Sequence, residues 1–434
     1  MSTSRRFLDW AAIVLTAGTG WFALDIENDG LADTLPPLSA TIPGDVAKGA
    51  SASDIDNFSW QSFVAVNWPA DGNGKIGQYG DNVAVWQFWK NDTDVLVPDG
   101  KIPIPWTEPS PIPPYCTETA PPGTRILTQF TKRGELGDFL TPGNGPLIDQ
   151  NGEYVRFEIL VNEAMYDFIV TNKLYSKAGQ RAYNPGGKIA FPSGQQNGAP
   201  GAIMLKVAWK ILGAGDDPTR FHTAMAYVYD PVANPVCELK QVGMVGLHIS
   251  HKTMNAPQWV WSTFEHVDNA PLVGSTLQPH YNFNDGKPAS SQPGCENAQQ
   301  CNVRPSGDWD PNTGVKTPVQ VARLDDVTPT ASAQNSAYDT ALAAVNPASV
   351  FANYRLIGTQ FPSDVNSARD PAGVPRPPFL ANTTMETFLQ GHSPGVSSNC
   401  AGCHHDATMS DQSKNKSDER FSDFTFILSR VKAQ

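Results

Sequence analysis

Near the carboxyl end of the chain stands the run Cys400-Ala401-Gly402-Cys403-His404. Two thiols three positions apart reach the two vinyl groups of a porphyrin, and a histidine directly after the second thiol drops its imidazole onto the iron. The spacing is therefore that of covalent c-type haem attachment. With six cysteines and eight histidines in 434 residues, composition alone produces the pattern in roughly 1.5 chains per thousand. A redox dithiol would want a βαβ context and would leave His404 without a role. A zinc site would want a second Cys-X-X-Cys or a spaced histidine pair, and neither follows. The expectation is one haem c bound through Cys400 and Cys403, with His404 as the proximal iron ligand.

Thirty residues follow His404, a short span in which to bring a ligand round to the opposite face of the ring. The second axial position is thus open or filled from elsewhere. Met409 must double back to reach it, Met385 and His392 precede the motif, and His405 points away from the proximal face. Three histidines lie earlier in the chain: His248 and His251 at a predicted strand end, and His266 closing the predicted strand 258–266 beside Glu265 and Asp268. His266 leads, because strand alternation puts it on the apolar face of Val260 and Phe264. The other reading of each is a hydrogen-bonded structural histidine.

The elements that must carry these residues read as α+β. Residues 58–68 place Trp60, Phe63, Val64 and Trp68 at helical spacing before Pro69. Alternation predicts strands over 154–161, 203–211, 221–229, 240–248 and 258–266, the second with Lys206 and Lys210 on its polar side. Residues 102–122 are too rich in proline for a sheet interior, and 275–335 read as a long surface excursion. Thr383 and Glu386 resemble a capping box ahead of Phe388, and Phe421, Phe424, Leu428 and Val431 share a helical face. The predicted organisation is a signal peptide or N-terminal anchor (1–24), an N-terminal arm (25–56), a β-rich, largely antiparallel main domain with long loops (57–380) and a short helical haem-binding segment (381–434). A unit of about fifty residues buries too little surface to stand alone, so that segment must pack on the main domain.

Arg5 and Arg6 precede an apolar run from Trp10 to Leu24. This suits export, and falls short of the ~20 residues that span a bilayer. Haem attachment outside the cytoplasm agrees with that, and predicts a periplasmic or otherwise exported protein without a membrane span once matured. The four remaining cysteines then suit two disulfides, Cys295 with Cys301 as the local pair and Cys116 with Cys237 stapling the proline-rich loop to the sheet; buried thiols are the alternative. A formal net charge of -12 repels phosphate backbones, which excludes nucleic acid as a partner class and suits a basic redox partner.

Taken together, 57–70 (NFSWQSFVAVNWPA), 246–253 (GLHISHKT), 259–269 (WVWSTFEHVDN), 399–404 (NCAGCH) and 423–430 (DFTFILSR) resemble a bacterial family of exported, single-haem proteins described as cytochrome c family proteins. The resemblance implies covalent haem and export, and carries over Cys400, Cys403 and His404 as functional positions. The expected function is electron transfer with a redox partner protein. The alternative is a haem enzyme, peroxidase-like or oxidising a small-molecule substrate, in which His266, His251 or His248 faces an open iron site. A haem-based sensor is a third class. Trp259 and Trp261 are candidate electron relays as well as core residues.

Overall fold

The computed structural model describes residues 35–72, 74–80, 83–121, 123–128, 146–183, 189–230, 232–275, 278, 280–287, 302–303, 317–362, 375–391, 398–410 and 421–431. The predicted leader, His392, Cys295 and Cys301 lie outside them. The first helix, α1 (Ala52–Val66), begins upstream of residue 57. Ser51 accepts the Asp54 N–H, and the Asp54 carboxylate accepts the Ser51 N–H in return, a reciprocal cap that satisfies two otherwise orphaned donors. Trp60, Phe63 and Val64 are buried on its inner face. The expected arm also begins earlier than 57 to belong to the body, for Asp45 accepts both the backbone and the side-chain N–H of Asn255.

After α1 come β1 (Lys90–Asn91), α2 (Asp92–Val95), β2 (Arg125–Leu127), β3 (Arg156–Val161), α3 (Glu163–Thr171), α4 (Lys177–Ala182) and β4 (Ile203–Ile211). Then follow β5 (Thr223–Tyr229), β6 (Cys237–His251), β7 (Val260–His266), α5 (Pro329–Val345), β8 (Tyr354–Gln360) and α6 (Cys400–His404). Among the described residues the eight strands form one sheet, β1-β3-β4-β6-β5-β2, with β7 joined to β6 and β8 to β7. Every pairing is antiparallel except β2 with β5. The fold is therefore α+β and dominated by the sheet. The long strand β6 forks it: residues 237–243 pair with β5, and residues 246–251 pair with β7.

Both faces of the sheet are covered. On one, Trp60 and Phe63 of α1 and Tyr338 and Leu342 of α5 pack with Leu205, Val207, Leu247, Ile249 and Phe264. On the other, Met165 and Ile169 of α3, together with Ala401, Met409, Phe424 and Leu428, pack with Val161, Met204 and Trp261. This double cover explains why β4 has no solvated side. Lys210, expected there, is 2% exposed and paired with Asp149 at 2.8 Å and Asp216 at 3.1 Å. Burying a lysine that deep is costly unless such partners compensate it.

Residues 38–434 make one compact unit, and the core just described runs through the 380/381 boundary drawn from the sequence. Parts of the predicted surface excursion are interior: Phe283 and Val321 are fully buried, and α5 starts inside it, capped by Thr328 with Pro329 in its first turn. The carboxyl-terminal segment is less helical than predicted. Apart from α6, its described residues hold 3-10 turns at Thr387–Leu389 and Phe426–Arg430 and no further α-helix. Thr383 and Glu386 do not form a capping box, because Thr383 donates through N–H and hydroxyl to Glu265 while Glu386 accepts the Asn382 N–H. Asp423 and Phe424 have φ of 51° and 62°, which no right-handed helix accommodates. Cys116 and Cys237 form the expected disulfide. Among the described residues no helix is long and apolar enough to cross a membrane.

Candidate functional site

Cys400 to His404 occupies the single turn α6, so both sulfurs and the imidazole issue from one short, rigid piece of backbone. Asn399 caps the turn by accepting the Gly402 N–H at 2.7 Å. Gly402 makes room for that cap: a Cβ there would lie 2.8 Å from Asn399 Cγ. Gln360, the last residue of β8, accepts the Ala401 N–H at 2.8 Å and ties the turn to the sheet. Cys400 is half-buried and Cys403 exposed, and neither forms a disulfide.

Beneath the turn lies a row of side chains fixed by sheet register. Met204, Ser250, Trp261 and Gln360 are successive cross-strand partners on β4, β6, β7 and β8, and partners directly opposite share a face. Trp261 carries the His404 ring, their centroids 4.4 Å apart, and donates its own indole N–H to the Gln258 carbonyl at 2.9 Å. Phe426 meets His404 edge-on at 5.2 Å. Thr425 donates its hydroxyl to the Met204 sulfur.

The orientation of His404 is set by one backbone oxygen. Its Nδ1 lies 2.8 Å from the Phe424 carbonyl. A carbonyl only accepts, so Nδ1 carries the proton and Nε2 is the lone-pair nitrogen of the neutral ring. Such a bond on the far nitrogen is how proteins orient a metal-binding imidazole and raise its basicity. The Phe424 carbonyl is aimed by a left-handed pair, Asp423 and Phe424, which is in turn anchored. Asp423 accepts Lys252 Nζ at 2.6 Å on each oxygen and the Phe191 N–H at 2.7 Å. Lys252 also lies over the Trp259 ring at 5.9 Å. Burial pushes the Asp423 carboxyl up from its ordinary value, and the Lys252 ammonium works against that shift.

The three candidate distal histidines part company here. Along β7, His266 is five residues from Trp261, about 16 Å at ~3.3 Å per residue, and alternation puts it on the opposite face. There it stacks on Phe221 at 4.2 Å, lies within hydrogen-bond distance of the Arg220 carbonyl through Nε2, and accepts the Asp268 N–H at Nδ1. Both nitrogens are committed, and the leading sequence candidate is not brought to His404. His251 also faces away, under α1 against Phe58 at 5.1 Å, with Nε2 on the Pro200 carbonyl. Burial drives both rings to a pKa of about 4, so they stay neutral. His248 alone of the three shares the face of Trp261, pairing across the sheet with Thr263; its Nε2 lies 3.3 Å from Glu386 Oε2. The loop bearing Glu386 comes this close because β6 has Gly246 there, where a Cβ would lie 2.2 Å from Thr384 Oγ1.

Of the remaining candidates, Met409 is buried in the core with Trp261 and Ala401, Met385 packs elsewhere with Phe157 and Val245, and His405 turns back on its own helix beside Asp406. Sequence reasoning missed Gln360, Lys252, Asp423 and the Phe424 carbonyl. Only the left-handed pair had a local signal, an Asp ahead of two aromatics where helix periodicity was read instead. The residues present fit a covalently held porphyrin on the proximal side: one half-buried and one exposed thiol, an oriented imidazole with Nε2 as its lone-pair nitrogen, and an aromatic floor. No family model, curated protein or solved structure matches the chain.

Proposed function

We propose that the protein is an exported c-type cytochrome that carries one haem on Cys400 and Cys403, with His404 as proximal ligand, and works in electron transfer. The observation that carries this reading is the Nδ1 bond from His404 to the Phe424 carbonyl within a Cys-X-X-Cys-His turn. It makes Nε2 the metal-binding atom and gives the imidazole one orientation. Bound haem supplies a one-electron iron couple. The chain's own work is to hold Nε2 still, exclude water from its proximal side with Trp261, Phe426 and Phe424, and keep the Cys403 attachment at the surface, where a partner can approach. Export and a redox partner of basic surface belong to the same reading, supported by the Cys116–Cys237 disulfide and the net charge of -12.

A second reading has one observation in its favour. His248 with Glu386 presents an imidazole and carboxylate on the same sheet face as Trp261, a pair able to hold and pass a proton if small molecules reach the iron. Absorption spectra of oxidised and reduced protein, with and without carbon monoxide, separate the two. Electron transfer predicts a low-spin spectrum that carbon monoxide leaves unchanged. Rapid carbon monoxide binding, with peroxide-dependent activity lost in His248→Ala, would overturn it in favour of the enzyme.

A further inference from the structure

The stretch 102–115 (IPIPWTEPSPIPPY) holds six prolines, and no part of the haem reading uses it. From Glu108 to Pro113 every residue is a proline or precedes one. Proline fixes φ near −65°, and a residue before proline is pushed out of the helical region. Covalent sterics alone therefore favour a polyproline II segment here. Residues 109–113 accordingly belong to no helix or strand. A tight turn closes each end: the Glu108 N–H donates to the Pro105 carbonyl at 3.0 Å, and the Cys116 N–H to the Pro113 carbonyl at 2.9 Å.

A polyproline II helix has three residues per turn, and burial follows that period. Ser110 and Pro113 are half-buried, while Pro109, Pro111, Ile112 and Pro114 are exposed, so one edge faces the body and two face outward. The inner edge is fastened. Ser110 donates its hydroxyl to Asp94 at 2.6 Å, and Cys116, buried just past the turn, is bonded to Cys237 at the start of β6. Upstream, Tyr166 donates its hydroxyl to the Ile104 carbonyl at 2.9 Å. The outer edges carry apolar surface, with Ile112 54% and Tyr115 41% exposed. The result is a fixed, convex ridge about 16 Å long at ~3.1 Å per residue.

We propose that this ridge docks a partner protein through a groove lined by aromatic side chains and rimmed by basic ones. Between Pro109 and Pro114 only Ser110 and Ile112 retain a backbone N–H, which leaves too few donors for pairing with the edge of a sheet. An extended proline segment is instead read by rings that stack on its outward faces while Trp or Tyr donors meet its carbonyls. Charge complementarity sets the rim. The charged side chains from 102 to 118 are Glu108 and Glu118, both exposed, one on either side of the ridge, and a basic rim answers them. Because both ends are pinned before any partner arrives, docking costs little further ordering entropy, which lets a small surface bind. The ridge is independent of the haem reading and stands whether or not α6 carries a porphyrin.

Photocrosslinking of the full-length protein in its producing cells tests it, with p-benzoylphenylalanine in place of Ile112 and, as a control, in place of Ala343 on the exposed side of α5. Decaproline added to the cell extract serves as the competing probe. The expected result is an adduct from position 112 and none from position 343, joined to a partner peptide beside Trp or Tyr residues. Decaproline is expected to reduce that adduct at least fivefold, and about 0.5 M salt, which screens the rim charges, at least threefold. Pro111→Ala/Pro114→Ala, which frees the backbone at two exposed positions, is expected to reduce it at least fivefold while the far-ultraviolet circular dichroism of the body stays unchanged. No adduct at position 112 above the control, an adduct that decaproline or the proline variant leaves unchanged, or an adduct joining two copies of this chain would overturn the proposal.

Discussion

His404 takes its orientation from an oxygen that no side chain supplies. The Phe424 carbonyl reaches it only because Asp423 and Phe424 are both left-handed, a conformation that costs L-residues roughly 1–2 kcal/mol each. The buried pair of Lys252 with Asp423 offsets that cost and holds the carbonyl in place. Removing one member leaves the other charged and buried, so Lys252→Ala is expected to lower stability by about 3–5 kcal/mol in urea unfolding. The double variant Lys252→Met with Asp423→Leu, which removes both charges, is expected to recover most of that. If the single variant loses less than about 1 kcal/mol, the pair does not hold the segment. At this scale the sequence was legible where candidate groups are contiguous, as in Cys400 to His404, which one helical turn gathers. It was illegible where a backbone oxygen or a partner 171 positions away does the work. His266 was misjudged for a related reason: strand alternation correctly paired it with Phe264, but the sequence did not say which face of β7 would meet the carboxyl-terminal segment.

Among the elements, α6 is a single turn and has little stability of its own, since a helix nucleus fixes several residues for one hydrogen bond. Its order comes from two borrowed acceptors, Asn399 at the Gly402 N–H and Gln360 at the Ala401 N–H. Gln360→Leu leaves a buried N–H unmet and is expected to cost about 1–3 kcal/mol. Amide hydrogen exchange at Ala401 should quicken while exchange in β4 stays unchanged. Exchange unchanged at Ala401 would show that the turn stands without this tether. The strands were the most readable elements. β4 matched its predicted bounds because nine residues of alternating pattern leave little choice of register. The helix α5 was lost inside a stretch dominated by Gly, Ser, Asn and Pro, although Thr328 and Pro329 mark its start. The carboxyl-terminal helix was predicted from periodicity alone, and the left-handed pair at 423–424 shows how a 3.6-residue repeat of aromatics arises without a helix.

For the whole molecule, three buried histidines weaken the fold as pH falls, while buried carboxyls such as Asp92, Asp149 and Asp423, held above their ordinary values by burial, act in the opposite sense. His222, His251 and His266 each have a pKa held near 4 by burial, against an ordinary value of 6.5 in the unfolded chain. A depressed histidine pKa favours folding fully above pH 6.5, and the advantage disappears as pH falls toward 4. Each site contributes on the order of 3 kcal/mol across that window. Between pH 6.5 and 4 the urea midpoint of His251→Gln is expected to fall less than that of the native protein; parallel profiles would contradict the burial of this ring as a neutral group. The sheet, its two covers and the packing of residues 398–410 and 421–431 into the second core hold in place one turn bearing two thiols and an oriented imidazole. The most direct test of the proposed haem attachment is the mass of the peptide containing Cys400 to His404, taken from protein matured in a host able to attach c-type haem and stripped of non-covalent pigment. The account predicts that this peptide carries the mass of one haem, with none on Cys400→Ala/Cys403→Ala. An unmodified peptide from the native sequence would contradict it.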